Sequence, residues 1–209
     1  MALGSLVSIA ASTFNRVMVV ELSLLQIIPG LLLALHYFIQ ISRPNWGFLS
    51  DKGGNRTFWI IIGVIILCLG SVLACIGILL IPENYLFGLT ISIFAYTLIG
   101  IGVGASGTSL LAFLATRTDN SKKAAAATIT WIMMIFGAAF TAIFVGKIID
   151  PYSIEKLLKI VTIISLFWII TSFITLYKLE NTHKQKVLDR FEPVSITFYQ
   201  GLKQVLLEQ

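Results

Sequence analysis

Residues 47–56 read "GFLSDKGGNR". This short polar stretch separates two apolar runs, residues 25–42 and residues 58–81, each long enough to approach the thickness of a bilayer. Crossing a bilayer takes about 20 mainly apolar residues in helical form. The runs are continuous rather than alternating with period two, which points to helices and away from barrel strands. The polar stretch therefore reads as a loop returning the chain into the membrane.

The same test applied outward finds six spans, at 2–22, 25–42, 58–81, 87–115, 124–146 and 158–177. Composition agrees. Hydrophobic residues make up 57% of the 209 positions, charged residues 12%, and mean hydropathy is +0.92. Soluble domains carry about 25% charged residues. The expected fold class is all-α, a polytopic membrane protein with six transmembrane helices over residues 1–178. Residues 179–209 then form a cytoplasmic tail or a linker to a further half. Within that tail, 196–207 place Phe198, Leu202, Val205 and Leu206 on one face, as in a helix lying on a membrane surface.

A net charge of +5 would raise nucleic acid as a partner in a soluble protein. Here the cations sit in loops, without a basic and aromatic stripe, so no nucleic-acid partner is expected. Arg43, Lys52, Arg56, Arg117, Lys122, Lys123 and the Lys and Arg residues of the tail fall on one side; Lys147, Lys156 and Lys159 fall on the other. The positive-inside rule puts the first group, and both termini, in the cytoplasm. Cys68 and Cys75 lie about 10 Å apart along one helix, too far for a disulfide.

Gly102, Gly104 and Gly107 spell G-x-G-x-x-G inside the fourth span. A dinucleotide site needs a strand before such a turn, and a membrane helix supplies none. Gly100 and Gly104 fit close helix packing instead. No nucleophile–base pair, metal-ligand cluster or phosphate loop stands out, so an enzyme is not expected.

The loop "GFLSDKGGNR" resembles the signature loop of the major facilitator superfamily, through Gly47, Leu49, Asp51, Lys52, Gly54 and Arg56, with Asn55 replacing a usual cation. The resemblance implies half of a major-facilitator fold and a loop that latches a gate. Tyr96 and Leu98 occupy the neighbourhood where proton-coupled relatives carry an Arg. Longer stretches, "FNRVM" at 14–18 and "TITWIMMIFG" at 128–137 above all, look like the PucC/LhaA branch of that superfamily. Members are implicated in assembling light-harvesting complexes. The resemblance implies an integral protein of a photosynthetic or cytoplasmic membrane, whose partners are the lipid bilayer and chlorophyll-binding polypeptides. Chlorophyll or bacteriochlorophyll would be the cofactor or cargo. The alternative is a solute transporter completed by a second six-helix half or a homodimer.

Candidate ligand residues follow from cost. Charges inside spans are expensive and mark function by default. Arg16 and Glu21, with Asn15 beside the cation, are such residues in span one. Their spacing of five puts Arg16 and Glu21 about 140° apart on a helix, a poor geometry for a direct pair. Arg16 is expected some way below the membrane surface, facing the bundle interior. His36 is the single histidine within a span and a candidate magnesium ligand for chlorophyll; His183 lies in the tail. Trp131, Met133, Met134 and Phe136 form a soft apolar stretch of span five.

Overall fold

The computed structural model describes residues 1–52 and 56–181. Among these there is no strand, and the chain is an all-α polytopic membrane protein. Helix α1 spans Ala2–Glu21, α2 Ile27–Ile39, α3 Arg43–Lys52, α4 Arg56–Leu80, α5 Tyr85–Arg117, α6 Lys123–Ile148 and α7 Ile154–Asn181. By length and composition α1, α4, α5, α6 and α7 can each cross a bilayer. Gly54, His183 and the tail helix expected at 196–207 lie outside the described residues.

The second expected span departs from its sequence reading. α2 is 13 residues long and passes through a 3-10 turn, Gln40–Ser42, directly into α3. Residues 43–52, read as loop, are helical. Pro44 accounts for the tightening: it has no N–H to offer Gln40 O, so the Arg43 N–H takes that carbonyl one residue early.

Helix starts are set by side chains where the sequence provides them. Asn84 Oδ1 accepts from Phe87 N at 3.1 Å and opens α5. Ser153 Oγ accepts from Lys156 N at 3.2 Å at the start of α7. Both satisfy donors that a helix leaves without partners.

The antiparallel pair α4–α5 is the spine. Its closest approaches recur every seven residues, at Gly63, Gly70 and Gly77 on α4 and at Gly88, Ala95 and Gly102 on α5. A Cβ added at Gly63 would lie 2.5 Å from Ser106 N, and one at Gly102 2.6 Å from Leu67 N. Small residues let backbones meet where lipid offers no hydrophobic drive between helices. Gly100 and Gly104, the pair expected to do this, face elsewhere: Gly100 abuts His36 O and Ile39 of α2, and Gly104 meets Trp46 of α3.

Around the spine, α2 packs on α5, α7 on α4, and α1 on α6. Leu6, Phe14, Met18, Leu67, Tyr96, Ile99, Leu157 and Val161 form one buried core. Tyr96 is sealed inside it, its hydroxyl donating to Ala10 O at 3.0 Å. Ser5 Oγ and Thr141 Oγ1, 2.7 Å apart, tie α1 to α6. Cys68 and Cys75 are buried free thiols. The outer faces of α6 and α7 expose Ile132, Ile135, Phe140, Ile163, Phe167 and Ile170, a surface suited to lipid tails.

Candidate functional site

Helix α1 is irregular where its polar residues lie. Two wide π-type segments, Ile9–Thr13 and Val17–Glu21, bracket the regular turn Phe14–Arg16. Phe14, Val17 and Met18 enter the core, which leaves Ser12, Asn15, Arg16 and Val20 on the exposed face. Single π turns inside helices recur at functional sites.

The exposed face forms one wall of an open groove of about 500 Å³, lined by Ala11, Ser12, Asn15, Arg16, Val19, Val20, Gln26 and Gly30. The lining mixes apolar side chains with a few polar groups. Asn15 and Arg16 are brought together here, while Glu21 is not among the lining residues.

Arg16 faces the groove rather than the bundle interior, and it is not deep. Met1 O approaches Gly137, midway along α6, and α1 and α6 then rise in the same direction. Equal rise carries Arg16 to the level of the connection between α6 and α7. There Nη2 donates to Asp150 Oδ1 at 2.7 Å and Nη1 to Oδ2 at 3.5 Å. The side chains are 42% and 59% exposed. Exposed pairs of this kind contribute little to stability. Sequence reasoning missed Asp150. The available signal was the demand of a span cation for an anion at the same end of the bundle.

Glu21 closes α1 near the same connection. Tyr152, in that connection, has its phenol pushed above the ordinary tyrosine range, first by burial and also by the Glu21 carboxylate. Burial and a nearby carboxylate both disfavour the charged phenolate.

His36 lies apart from the groove, buried between α2 and α5. Arg43 donates to Gln40 Oε1, which turns the Gln40 amide nitrogen toward His36 Nε2, 2.9 Å away. Nε2 is then the acceptor and Nδ1 carries the proton, an assignment made from the hydrogen-bond network. Nδ1 is buried without a partner. Neither nitrogen presents a free lone pair to magnesium in this arrangement. Among the described residues no group of three His, Cys, Asp or Glu is placed to hold a metal ion.

The loop motif is at the opposite end. Arg56 donates from Nη2 and Nε to Asp51 Oδ1 at 2.6 and 3.1 Å, and from Nη1 to Ala112 O at 2.8 Å and to Thr116 Oγ1. One guanidinium thus links the end of α3, the start of α4 and the last turns of α5, where a cation also suits the helix dipole. Gly47 packs against Thr108, where an added Cβ would meet Cγ2 at 3.3 Å. Lys52 ends α3.

The family model described as "PUCC protein" matches residues 13–207. The chain is 47% identical over its whole length to the Bacteriochlorophyll synthase 44.5 kDa chain of Rhodobacter capsulatus, covering 48% of that protein. It is 25% identical to Protein PucC of Cereibacter sphaeroides over 86% of the chain and 42% of that protein. It is 23% identical to Protein PucC of Rhodobacter capsulatus over 88% of the chain and 42% of that protein. The chain therefore spans about half the length of the curated relatives it matches. No solved structure matches it.

Proposed function

The chain belongs to the PUCC protein family, and from that premise we propose that it assists the assembly of light-harvesting complexes that bind chlorophyll or bacteriochlorophyll. The action is non-covalent: the protein holds pigment, or a nascent antenna helix, and hands it on. Family membership over residues 13–207 is the observation that carries this reading. One relative's name associates that protein with bacteriochlorophyll.

Within the reading, Arg16 and Asn15 contact the cargo in the groove between α1 and α2, and Glu21 shapes the field at its mouth. His36 serves the bundle, because Gln40 already occupies its acceptor nitrogen. The Asp51–Arg56 pair, with Gly47, Lys52 and Gly54, works as the latch at the cytoplasmic end. Lipid surrounds the outer faces of α6 and α7, and antenna polypeptides are the protein partners. With the shorter α2 counted as a span beside α1, α4, α5, α6 and α7, the helices form half of a major-facilitator-type bundle, completed by a second six-helix half. The membrane is a photosynthetic or cytoplasmic one, with both termini in the cytoplasm.

The word synthase in one relative's name favours a second reading, an enzyme of pigment synthesis. The groove argues for holding rather than reacting. Its polar side chains are a cation, two carboxamides and a hydroxyl whose proton is given to Ser8 O at 2.6 Å. Disruption of the gene in a photosynthetic host separates the two. Assembly predicts loss of antenna absorbance with the free pigment pool intact; synthesis predicts loss of the pigment itself. Substrate-dependent uptake into vesicles, with antenna absorbance unchanged, would instead identify a solute transporter.

A further inference from the structure

We propose that the groove between α1 and α2 is a hydrogen-bond-donor site for an uncharged, carbonyl-bearing amphiphile, with Asp150 neutralising Arg16 from outside the groove. This rests on the pigment-handling reading and narrows it: an esterified chlorin is held through its ring ketone.

The lining sets the chemistry of the ligand. Arg16, Asn15 and Gln26 all carry N–H donors, and all three line the groove. Asp150 engages one N–H on each of Nη1 and Nη2, at 3.5 and 2.7 Å, which leaves further donors on the guanidinium. Among the described residues the Asn15 and Gln26 carboxamides have no hydrogen-bond partner, so nothing pins either amide against turning its nitrogen inward. Neither Asp150 nor Glu21 is among the lining residues. A groove rich in donors and lacking a carboxylate fits a ligand that offers acceptors.

Charge balance decides between an anion and a neutral acceptor. Arg16 already has its counter-ion in Asp150, 2.7 Å away. A second anion on the same guanidinium would face that carboxylate and be repelled. A ketone or ester oxygen accepts from the remaining N–H groups without that repulsion, and a charged donor makes the stronger bond.

The shape agrees. Ala11, Val19 and Val20 give the groove apolar wall, and a Cβ added at Gly30 would meet nothing within 4 Å. A few polar groups in an apolar lining fix the orientation of a ligand. Arg16 stands at the level of the α6–α7 connection, so the donors lie near the membrane surface with the apolar spans below. A chlorin diester carries its ketone and ester carbonyls along one edge of an apolar macrocycle, which matches that division.

The test uses the full chain in detergent micelles with three metal-free chlorins: a diester with the ring ketone, the same diester with the ketone reduced to methylene, and the monoacid of the first. Binding is read from chlorin retained on immobilised protein, and the ketone from its infrared stretch. The ketone diester binds wild type, and its ketone stretch falls below the value in detergent alone. Removing the ketone weakens binding roughly tenfold or more, the scale of a lost charge-assisted hydrogen bond. Arg16→Met has the same effect on the ketone diester and returns the stretch to its detergent value. Gln26→Leu weakens binding severalfold. The diester binds more tightly than the monoacid, and Asp150→Asn, which keeps an oxygen for Arg16, removes that preference. Misfolding would weaken every probe, whereas Arg16→Met leaves the ketone-free chlorin unaffected.

The proposal is overturned if the ketone-free chlorin binds as tightly, if the stretch is unshifted in wild type, if the monoacid is preferred, or if only a magnesium-containing chlorin binds. It is also overturned if added phosphatidylcholine displaces the chlorin from wild type but not from Arg16→Met, which would assign the donors to a membrane lipid. Chlorin binding that ignores both the ketone and Arg16 removes the donor site and leaves pigment handling standing. Failure of every chlorin, with antenna assembly normal in the gene disruption, removes both.

Discussion

Arg16 on α1 and Asp150 in the α6–α7 connection, 134 positions apart in sequence, are joined by an Nη2–Oδ1 contact of 2.7 Å. The pair ties the first helix of the bundle to the α6–α7 connection, and Arg16 also lines an open groove beside α2. Both side chains are partly exposed, at 42% and 59%, so the pair contributes little net stability. That placement separates its two possible roles, ligand contact and structural tie.

Arg16→Ala is expected to abolish antenna assembly while the protein still inserts at normal abundance. Antenna absorbance of membranes, set against the amount of protein on an immunoblot, reads this directly. Loss of the protein itself would make the pair a structural tie. Asp150→Asn should leave the unfolding transition close to wild type.

The α4–α5 spine makes a steric prediction. Gly63→Ala places a methyl 2.5 Å from the Ser106 backbone nitrogen, where nothing flexible can yield. Unfolding in mixed micelles should show a loss of about 1–3 kcal/mol. Gly146 has nothing within 4 Å of an added Cβ. Gly146→Ala should be neutral, or should gain up to about 1 kcal/mol from reduced backbone freedom in the unfolded chain.

Tyr96→Phe keeps the ring and removes the hydroxyl that donates to Ala10 O. The carbonyl is left buried, and the cost should be about 1–3 kcal/mol. Since Ala10 lies in the first π segment of α1, hydrogen exchange should quicken there before the rest of the helix.

At the other end, Arg56→Ala removes the donors to Asp51, Ala112 O and Thr116 and should cost about 1.5–3 kcal/mol. Arg56→Lys should recover only part of this, because one ammonium cannot span Asp51 and the end of α5 together. Faster hydrogen exchange over residues 112–117 is the local readout.

His36→Ala should leave pigment content unchanged and lower stability, since its ring fills space between α2 and α5 and accepts from Gln40. Pigment loss in this variant, measured by extraction from the purified protein, would make His36 a ligand.

The apolar runs were legible because crossing a bilayer imposes length and composition on each of them. The helix over 43–52 was not, since its residues are polar and Pro44 reads as a break; only the 3-10 turn before it reveals how the chain continues. Small residues seven apart at 63, 70 and 77 are visible in the sequence. Without knowing that α4 and α5 are antiparallel neighbours, nothing ranks them above Gly100 and Gly104. Arg16 was legible as a costly residue, but its partner was not. The pairing with Asp150 depends on the offset between α1 and α6, a tertiary quantity set by contacts such as Met1 with Gly137. The linkage of Asp51 to Arg56 follows the motif; the reach of Arg56 to Ala112 O does not.

The central claim is that this chain handles pigment on the way to antenna complexes. Its most direct test is the absorption spectrum of the protein purified from a host that makes the pigment. The account predicts a chlorophyll or bacteriochlorophyll band that accompanies the protein through purification and falls in Arg16→Ala. Colourless protein that never co-purifies with antenna subunits would contradict it.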